Sequence, residues 1–393
     1  METSTYLMQP SALNPVRACE ELPVESPSAT QDISISLYEN GIPLSVEAEI
    51  DQLYESLFSS SAMFKACGAM TDVCVYVARK GDQAKAIFVF RYTQGRVDVL
   101  NEQIRIDKEE MRQFTSYIFG KYANVQRIYF RAIQTESQDF KYPLQRAKST
   151  NDAVLSLPNS APDYLASIGK STRENIKRYL KLLKRDIPSV TFEVHDNNVS
   201  EEILRSILNL SHARMASKNK VSGINGQEEK RIFFLTRECG IVTTVSIDGN
   251  ICAGTILFRV GNNYYLRVIA HDPAYSDYRL GLLCCYLSIC ECIERKGRNY
   301  HFLWGREIYK YRLLGKHQDF DSITIYRSRI HFILDGKAVL TLAAKAHLNN
   351  VKHWLTAPAN QDRLIARMAH STRNFLKSVR NQSAMEKNPA SDS

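Results

Sequence analysis

The sequence predicts an α/β protein made of two copies of one supersecondary plan, each with a mixed, largely antiparallel sheet. Three observations point there. The chain has 393 residues, more than one hydrophobic core usually organises. Residues 33–157 and 190–326 run through the same order of strand and helix signals, although the letters themselves repeat little, so it is the plan that recurs. Apolar residues at 44% and charged residues at 24% are ordinary for a globular protein and leave no case for wholesale disorder.

Residues 1–31 carry Pro10, Pro15, Pro23 and Pro27 among Ser, Thr and Glu without apolar periodicity, and read as a flexible leader. A first domain, 32–160, opens with a strand at Ile33–Leu37 and a helix at Ala48–Phe58. Strands at Val73–Ala78, Ala84–Tyr92 and Arg96–Leu100 form a meander around the Lys80-Gly81-Asp82 turn. A helix near 108–122, a strand at Ile128–Ile133 and two short extended runs ending near Leu157 complete it. Residues 161–187 form a basic linking helix, with Ile176, Leu180 and Leu183 on one face and Arg173, Lys177, Lys181 and Lys184 on another.

The second domain, 188–328, repeats the grammar. A strand at Val190–Val194 precedes helices at Glu201–Ser217 and 228–238. Strands at Val242–Ile247, Cys252–Val260 and Tyr264–Ala270 are joined by Asp248-Gly249-Asn250 and Gly261-Asn262 turns. Then come a helix at 279–296, a strand at Tyr300–Trp304, a short helix at 308–314 and a strand at Ser322–Tyr326. Beyond it, 329–393 reads as a basic tail with helices at 337–354 and 360–380.

No run approaches the roughly 18 apolar residues of a membrane helix, and no basic stretch leads into an apolar one at the N-terminus. Nine cysteines with no CxxC pair fit a reduced compartment and argue against a disulfide framework or a zinc site. The expected location is the cytoplasm. Cys284, Cys285, Cys290 and Cys292 fall in one apolar helix and read as small buried hydrophobes. The net charge of +9 calls for an anionic partner, whether phosphate-bearing cofactor, nucleic acid or acidic surface.

The second domain's order, β, α, α, β, β, β, α, β, α, β, is that of the GNAT fold, and specific letters join it. Asp272-Pro273-Ala274-Tyr275, Leu280-Gly281-Leu282-Leu283, Lys296-Gly297 and Phe302-Leu303-Trp304-Gly305-Arg306-Glu307-Ile308-Tyr309-Lys310 resemble the CelD-like acyltransferases. Upstream, Tyr164-Leu165 with Lys170, Arg173 and Arg178, and Leu210 to Arg214, resemble that family's preceding helices. The resemblance covers roughly 160–328 and reaches the first half only by architecture. It implies an acyl-CoA-dependent N- or O-acyltransferase associated with bacterial cellulose or exopolysaccharide synthesis, related to the FemAB aminoacyltransferases. Acetyl-CoA or another acyl-CoA is the implied cosubstrate, with no metal. The implied acceptor is an amine or hydroxyl, as on a sugar.

Three readings stay open: that one, a FemAB-like transferase using aminoacyl-tRNA, which the basic linking helix favours, and a binding protein that keeps the fold without catalysis. For acyl-CoA, a helix beginning at Arg279 directly after a strand and a turn offers the backbone N–H groups of Leu280, Gly281 and Leu282 and a positive dipole end to a pyrophosphate. Gly281 permits close approach, and Arg279 adds a guanidinium. A thiolate leaving the donor needs a proton, for which the resemblance points to Tyr309, with Tyr311 as the rival. Glu307 and Lys310 flank Tyr309; both are candidate catalytic residues, Lys310 as a positive neighbour for the departing thiolate, and otherwise they read as an exposed ion pair. His271 and Glu307, at strand ends, are the candidate bases for the acceptor; His301 falls inside a strand.

Overall fold

The computed structural model describes residues 18–19, 33–136, 140–196, 198–217, 219 and 222–336. The leader, apart from two residues, and the two tail helices expected at 337–354 and 360–380 lie outside them. In the first half the elements are β1 (Ala18–Cys19), β2 (Ile33–Tyr38), α1 (Leu44–Tyr54), α2 (Ser61–Ala66), β3 (Cys74–Lys80), β4 (Gln83–Thr93), β5 (Arg96–Val99), β6 (Ile104–Arg105), α3 (Lys108–Lys121), β7 (Arg127–Gln134) and β8 (Leu144–Ser156). Then follow α4 (Ala161–Ser167), α5 (Lys170–Asp186), β9 (Thr191–Asp196), α6 (Glu201–Ala216), α7 (Gly226–Cys239), β10 (Gly240–Ile247), β11 (Asn250–Val260), β12 (Asn263–His271), α8 (Leu280–Glu294), β13 (Asn299–His301), α9 (Ile308–Arg312) and β14 (Lys316–Tyr326).

The linking helix read as one piece is two. Ile168 and Gly169 leave the helical backbone (Gly169 at ψ 139°), so α4 ends and α5 restarts at Lys170. The two short runs before Leu157 are the single 13-residue strand β8. Ala18–Cys19, inside the expected leader, pairs with Tyr38 and Leu37 at the sheet edge.

The described strands join one mixed sheet in the order β1-β2-β3-β4-β5-β7-β14-β8-β13-β12-β11-β10-β9, with β6 beside β7. Most neighbours are antiparallel; β5 and β7, β6 and β7, and β12 and β13 are parallel. At the centre the halves exchange strands. β8, the last strand of the first half in sequence, pairs with β13 of the second, and β14, the last described strand of the second, pairs with β7 of the first. β8 and β14 pair with each other over Lys316–Ile325, so backbone hydrogen bonds run unbroken from one half to the other.

Each half is covered on both faces. Val75, Val77, Ile87 and Val89 pack under α1, while Tyr76, Phe88 and Phe90 pack on Phe114 of α3. In the second half Leu257, Tyr264 and Leu266 meet α8, α4 and α5, and Phe258, Tyr265 and Val268 meet α6 and α7. This alternation is the period-two pattern of strands buried on both faces. Cys284, Cys285 and Cys292 are buried in α8 and Cys290 half-buried, as small apolar residues would be. The chain through Arg327 is one compact unit. From Ser328 a second unit begins, whose described part is the helix α10 (Arg329–Leu334), capped by the Ser328 hydroxyl.

Candidate active site

The sheet forks in its second half. β12 and β13 are paired only through Asn263, Tyr264 and Tyr265 with Asn299, Tyr300 and His301. Beyond Tyr265, β12 continues to His271 along β11 alone, while the chain after His301 turns away. The fork coincides with a β-bulge: Leu257 faces Leu266 and Ile256 faces Val268, leaving Arg267 as the extra residue of β12. A bulge increases local twist and re-aims the strand, and past it β12 has no β13 partner for its backbone groups among the described residues. One of them, the Ile269 carbonyl, accepts from the Arg214 guanidinium of α6 at 3.1 Å. Arg267 is held by Glu228 at 2.6 Å and lies over the Trp304 ring at 5.3 Å.

At the far end of β12 the chain passes through a 3-10 turn, Pro273–Tyr278, and starts α8. Arg279 takes a left-handed backbone (φ 53°, ψ 40°) as its first flanking residue. Among the described residues no side chain caps this helix, and its first turn holds no acidic group. Arg279 is exposed. Beside it, Arg178 of α5 donates to the Tyr179 hydroxyl at 2.9 Å. Burial acts to raise the Tyr179 pKa, but hydrogen bonds from Arg178 and Arg279 outweigh it and the net shift is downward. Two guanidinium groups therefore converge at the start of α8. Leu280 is wholly buried and anchors that turn to the core, so of the predicted set it can contribute only main chain. Leu282 packs partly against the same core, and its N–H already bonds the Arg279 carbonyl at 2.9 Å.

Gly281 differs from expectation in its neighbour. A Cβ there would come within 2.8 Å of His271 Nδ1, so its missing side chain makes room for an imidazole. His271 thus lies against the helix start. It stands six residues past the last β12–β13 pair, roughly 15–20 Å along the strand. That places it at the end of the cleft opposite the fork and away from an acyl carbon seated there.

The short helix α9 brings the other predicted residues together. Tyr309 is partly buried with its ring edge-on to Phe302 (6.2 Å, 79°). Its pKa is pushed up by burial, and by Cys285 and Glu307, against an opposing pull from Arg214. The phenol is protonated at neutral pH, with a cation on the other side of the fork near enough to be felt. Tyr311 is 40% exposed and faces solvent.

Lys310 is not half of an exposed ion pair. Its side chain is 3% exposed against 56% for Glu307, which it meets at 3.0 Å. The ammonium donates to the carbonyls of Leu303 (3.0 Å) and Trp304, with Gly305 at 3.4 Å. Those residues form a strained turn, with φ of 58° at Leu303 and 95° at Gly305. Lys310 is the clamp that gathers its carbonyls, and its donors are spent on that. Glu307 flanks α9, and its carboxylate crowds Gly305, where a Cβ would come within 2.5 Å of it.

This geometry can be compared with known proteins. Residues 170–311 match the family model for an acetyltransferase (GNAT) domain. The fold is GNAT-like. A crystal structure of FemX shares it at 10% identity, covering 71% of this chain and 96% of that one with a TM-score of 0.53. Weaker likenesses include L-PGS from Bacillus licheniformis (13% identity, 79% and 97% covered, TM-score 0.46). A tandem GNAT protein from the clavulanic acid biosynthesis pathway is another (11%, 64% and 82%, TM-score 0.35). No curated protein matches the chain by sequence. The α/β fold read from element order is GNAT-like, with one large mixed sheet in place of a sheet in each copy.

Several residues of the GNAT-like cleft are not evident from sequence. Arg214 appears there only as the end of a helix resemblance, Trp304 only as one letter of a resembling stretch, and Arg267 and Glu228 carry no motif. Asp152 of β8 is 1% exposed and accepts from His301 Nδ1 at 2.7 Å. Its position in a strand that crosses to the other half is invisible to local pattern. Among the described residues no cluster of His, Cys, Asp and Glu could hold a metal ion, and no helix is long and apolar enough to cross a membrane.

Proposed function

We propose that the second half transfers an acyl group from an acyl-CoA, acetyl-CoA included, to an amine or hydroxyl acceptor. The observation that carries this reading is the fork: a bulged β12 that leaves β13 after Tyr265, beside an uncapped α8. The donor set fits a pyrophosphate thioester, with backbone N–H groups at the start of α8 and the Arg279 and Arg178 guanidinium groups for the anion. Main-chain N–H groups of β12 beyond Tyr265 polarise the thioester carbonyl. Tyr309 gives its proton to the departing thiolate as the C–S bond breaks. Lys310 keeps Tyr309 in place by holding the turn before it, and Glu307 tethers Lys310. The ternary complex supplies proximity, so no covalent enzyme intermediate is required.

The acceptor approaches from the groove where the halves exchange strands. The resemblance of 160–328 to CelD-like proteins favours a sugar or polysaccharide precursor, handled in the cytoplasm. A second reading has its own observation. The exposed face of α5 carries Lys170, Lys177, Lys181 and Lys184, and a hollow of about 540 Å³ lies along Lys170, Ser171, Glu174, Asn175 and Arg178. A basic face of this kind suits the acceptor stem of an aminoacyl-tRNA donor.

Thermal unfolding decides between them. CoA at 100-fold its Kd adds about 2.7 kcal/mol to unfolding, so the acyl-CoA reading expects a clear rise in Tm with CoA or acetyl-CoA. A rise with tRNA and none with any acyl-CoA would transfer the assignment to the second reading. Binding without release of free CoA thiol, across amine and hydroxyl acceptors, would leave a binding protein of the same fold.

A further inference from the structure

The acid proposed above stands on one side of the fork; the other side holds a pair that mechanism does not use. His301 is the last residue of β13 to pair with β12, so it sits where the two strands part. Its neighbour Tyr300 faces α8, bonding Ser288 at 2.9 Å. His301 therefore points to the opposite face, where its ring stacks on Tyr265 (4.3 Å, 17°) within the wall formed by α6 and α7. Asp152 reaches it from β8, the strand contributed by the first half, and takes Nδ1 at 2.7 Å. Two atoms of this pair are buried with no hydrogen-bond partner among the described residues: His301 Nε2 and Asp152 Oδ1. Buried polar atoms are satisfied in the great majority of cases, so an orphaned ring nitrogen at a cleft calls for a ligand.

We propose that the Asp152–His301 pair is the acceptor's general base, a role that rests on the acyl-transfer reading. Asp152 accepts the Nδ1 proton, which fixes the tautomer and leaves the Nε2 lone pair for the incoming group. As the acceptor's nitrogen or oxygen bonds to the acyl carbon and the C–S bond breaks, Nε2 takes the acceptor's proton while Tyr309 supplies one to sulfur. Solvent then carries a proton from imidazolium to phenolate, and the residues return to their starting states. Acid and base thus face each other through the fork, Tyr309 on the α8 side and His301 on the α6 side. Because Asp152 belongs to the exchanged strand, the base is complete only when the two halves are joined.

Bromoacetyl-CoA tests this without knowledge of the acceptor. With its acyl carbon seated at the fork, Nε2 displaces bromide and becomes alkylated. Mass spectrometry of the full chain is expected to find one label per chain on His301, suppressed by excess CoA. His301→Gln should lose the label. Asp152→Asn should slow labelling at least tenfold with Tm and the CoA-induced Tm shift unchanged, an outcome that a packing role for Asp152 does not give. The 15N spectrum of histidine-labelled protein offers an activity-free check: His301 should show the Nδ1–H tautomer, lost in Asp152→Asn. CoA-protected labelling of His271, a cysteine or Tyr309, or CoA binding with no label, would overturn the base assignment and leave acyl transfer standing. Absence of any CoA-induced Tm shift would instead remove the acyl-transfer reading, and the inference with it.

Discussion

The two halves share a plan but differ where a cofactor would enter. In the first half the cleft is closed. β5 pairs with β7 through Val99 and Phe130, and the chain then resumes beside the same strand as β6, with Gln103 and Ile106 bonding the carbonyls of Ala132 and Gln134. Where β5 leaves β4, the buried Asn101 fills the gap, accepting from Val89 N–H at 2.8 Å. In the second half nothing among the described residues re-pairs with β13 on that side, and the fork stays open. The helix starts differ in the same sense. α3 is sealed by a capping box, with Asp107 taking the Glu109 N–H and Glu110 returning to the Asp107 N–H, and Glu109 adds another negative charge. α8 has no cap, no acid and an arginine at its head. One helix start has its donors used and repels phosphate; the other leaves donors for an anion.

Tyr309→Phe retains the ring packing and removes the proton, and should lower kcat for acyl transfer by roughly 10²–10⁴-fold with acyl-CoA affinity unchanged. Tyr311→Phe is the matched control. A large effect at Tyr311 and none at Tyr309 would reverse the assignment. Lys310→Met should cost about 3 kcal/mol in unfolding free energy, because it strands buried carbonyls of the Leu303–Gly305 turn. Urea titration measures it, and a variant that stays fully stable while losing turnover would make Lys310 chemical instead of structural. Arg279→Ala should raise KM for acyl-CoA roughly 10-fold or more by removing one charge-assisted bond, leaving kcat alone. Its counterpart in the closed half, Asp107→Ala, should cost only about 1 kcal/mol of stability through the lost cap and leave that KM unchanged.

Element order is legible in the sequence, since it depends on local periodicity and turn chemistry. The strands from Val242 to Ala270 and the helix after Arg279 follow from apolar alternation and from Asp248-Gly249-Asn250. What local pattern cannot carry is which strand pairs with which. β8 reads simply as extended chain at the end of the first half, yet it pairs with β13 and β14, and so Asp152 gives no sign in sequence of meeting His301. The break at Ile168–Gly169 is two residues inside a continuous amphipathic pattern. Lys310 illustrates another limit: a lysine beside a glutamate reads as a solvated pair, and only a turn that aims three carbonyls inward draws the ammonium into the core. Gly281 reads as room for phosphate, while its space is taken by His271, a contact between residues ten apart across a turn.

Under the proposed function the second half is open to an acyl-CoA and the first is shut. Hydrogen–deuterium exchange with and without CoA reads both helix starts in a single sample. The account predicts slower exchange over 264–283, covering the bulged strand and the head of α8, and no change over 97–111. Protection at 97–111, or none at 264–283 when CoA is bound, would contradict it.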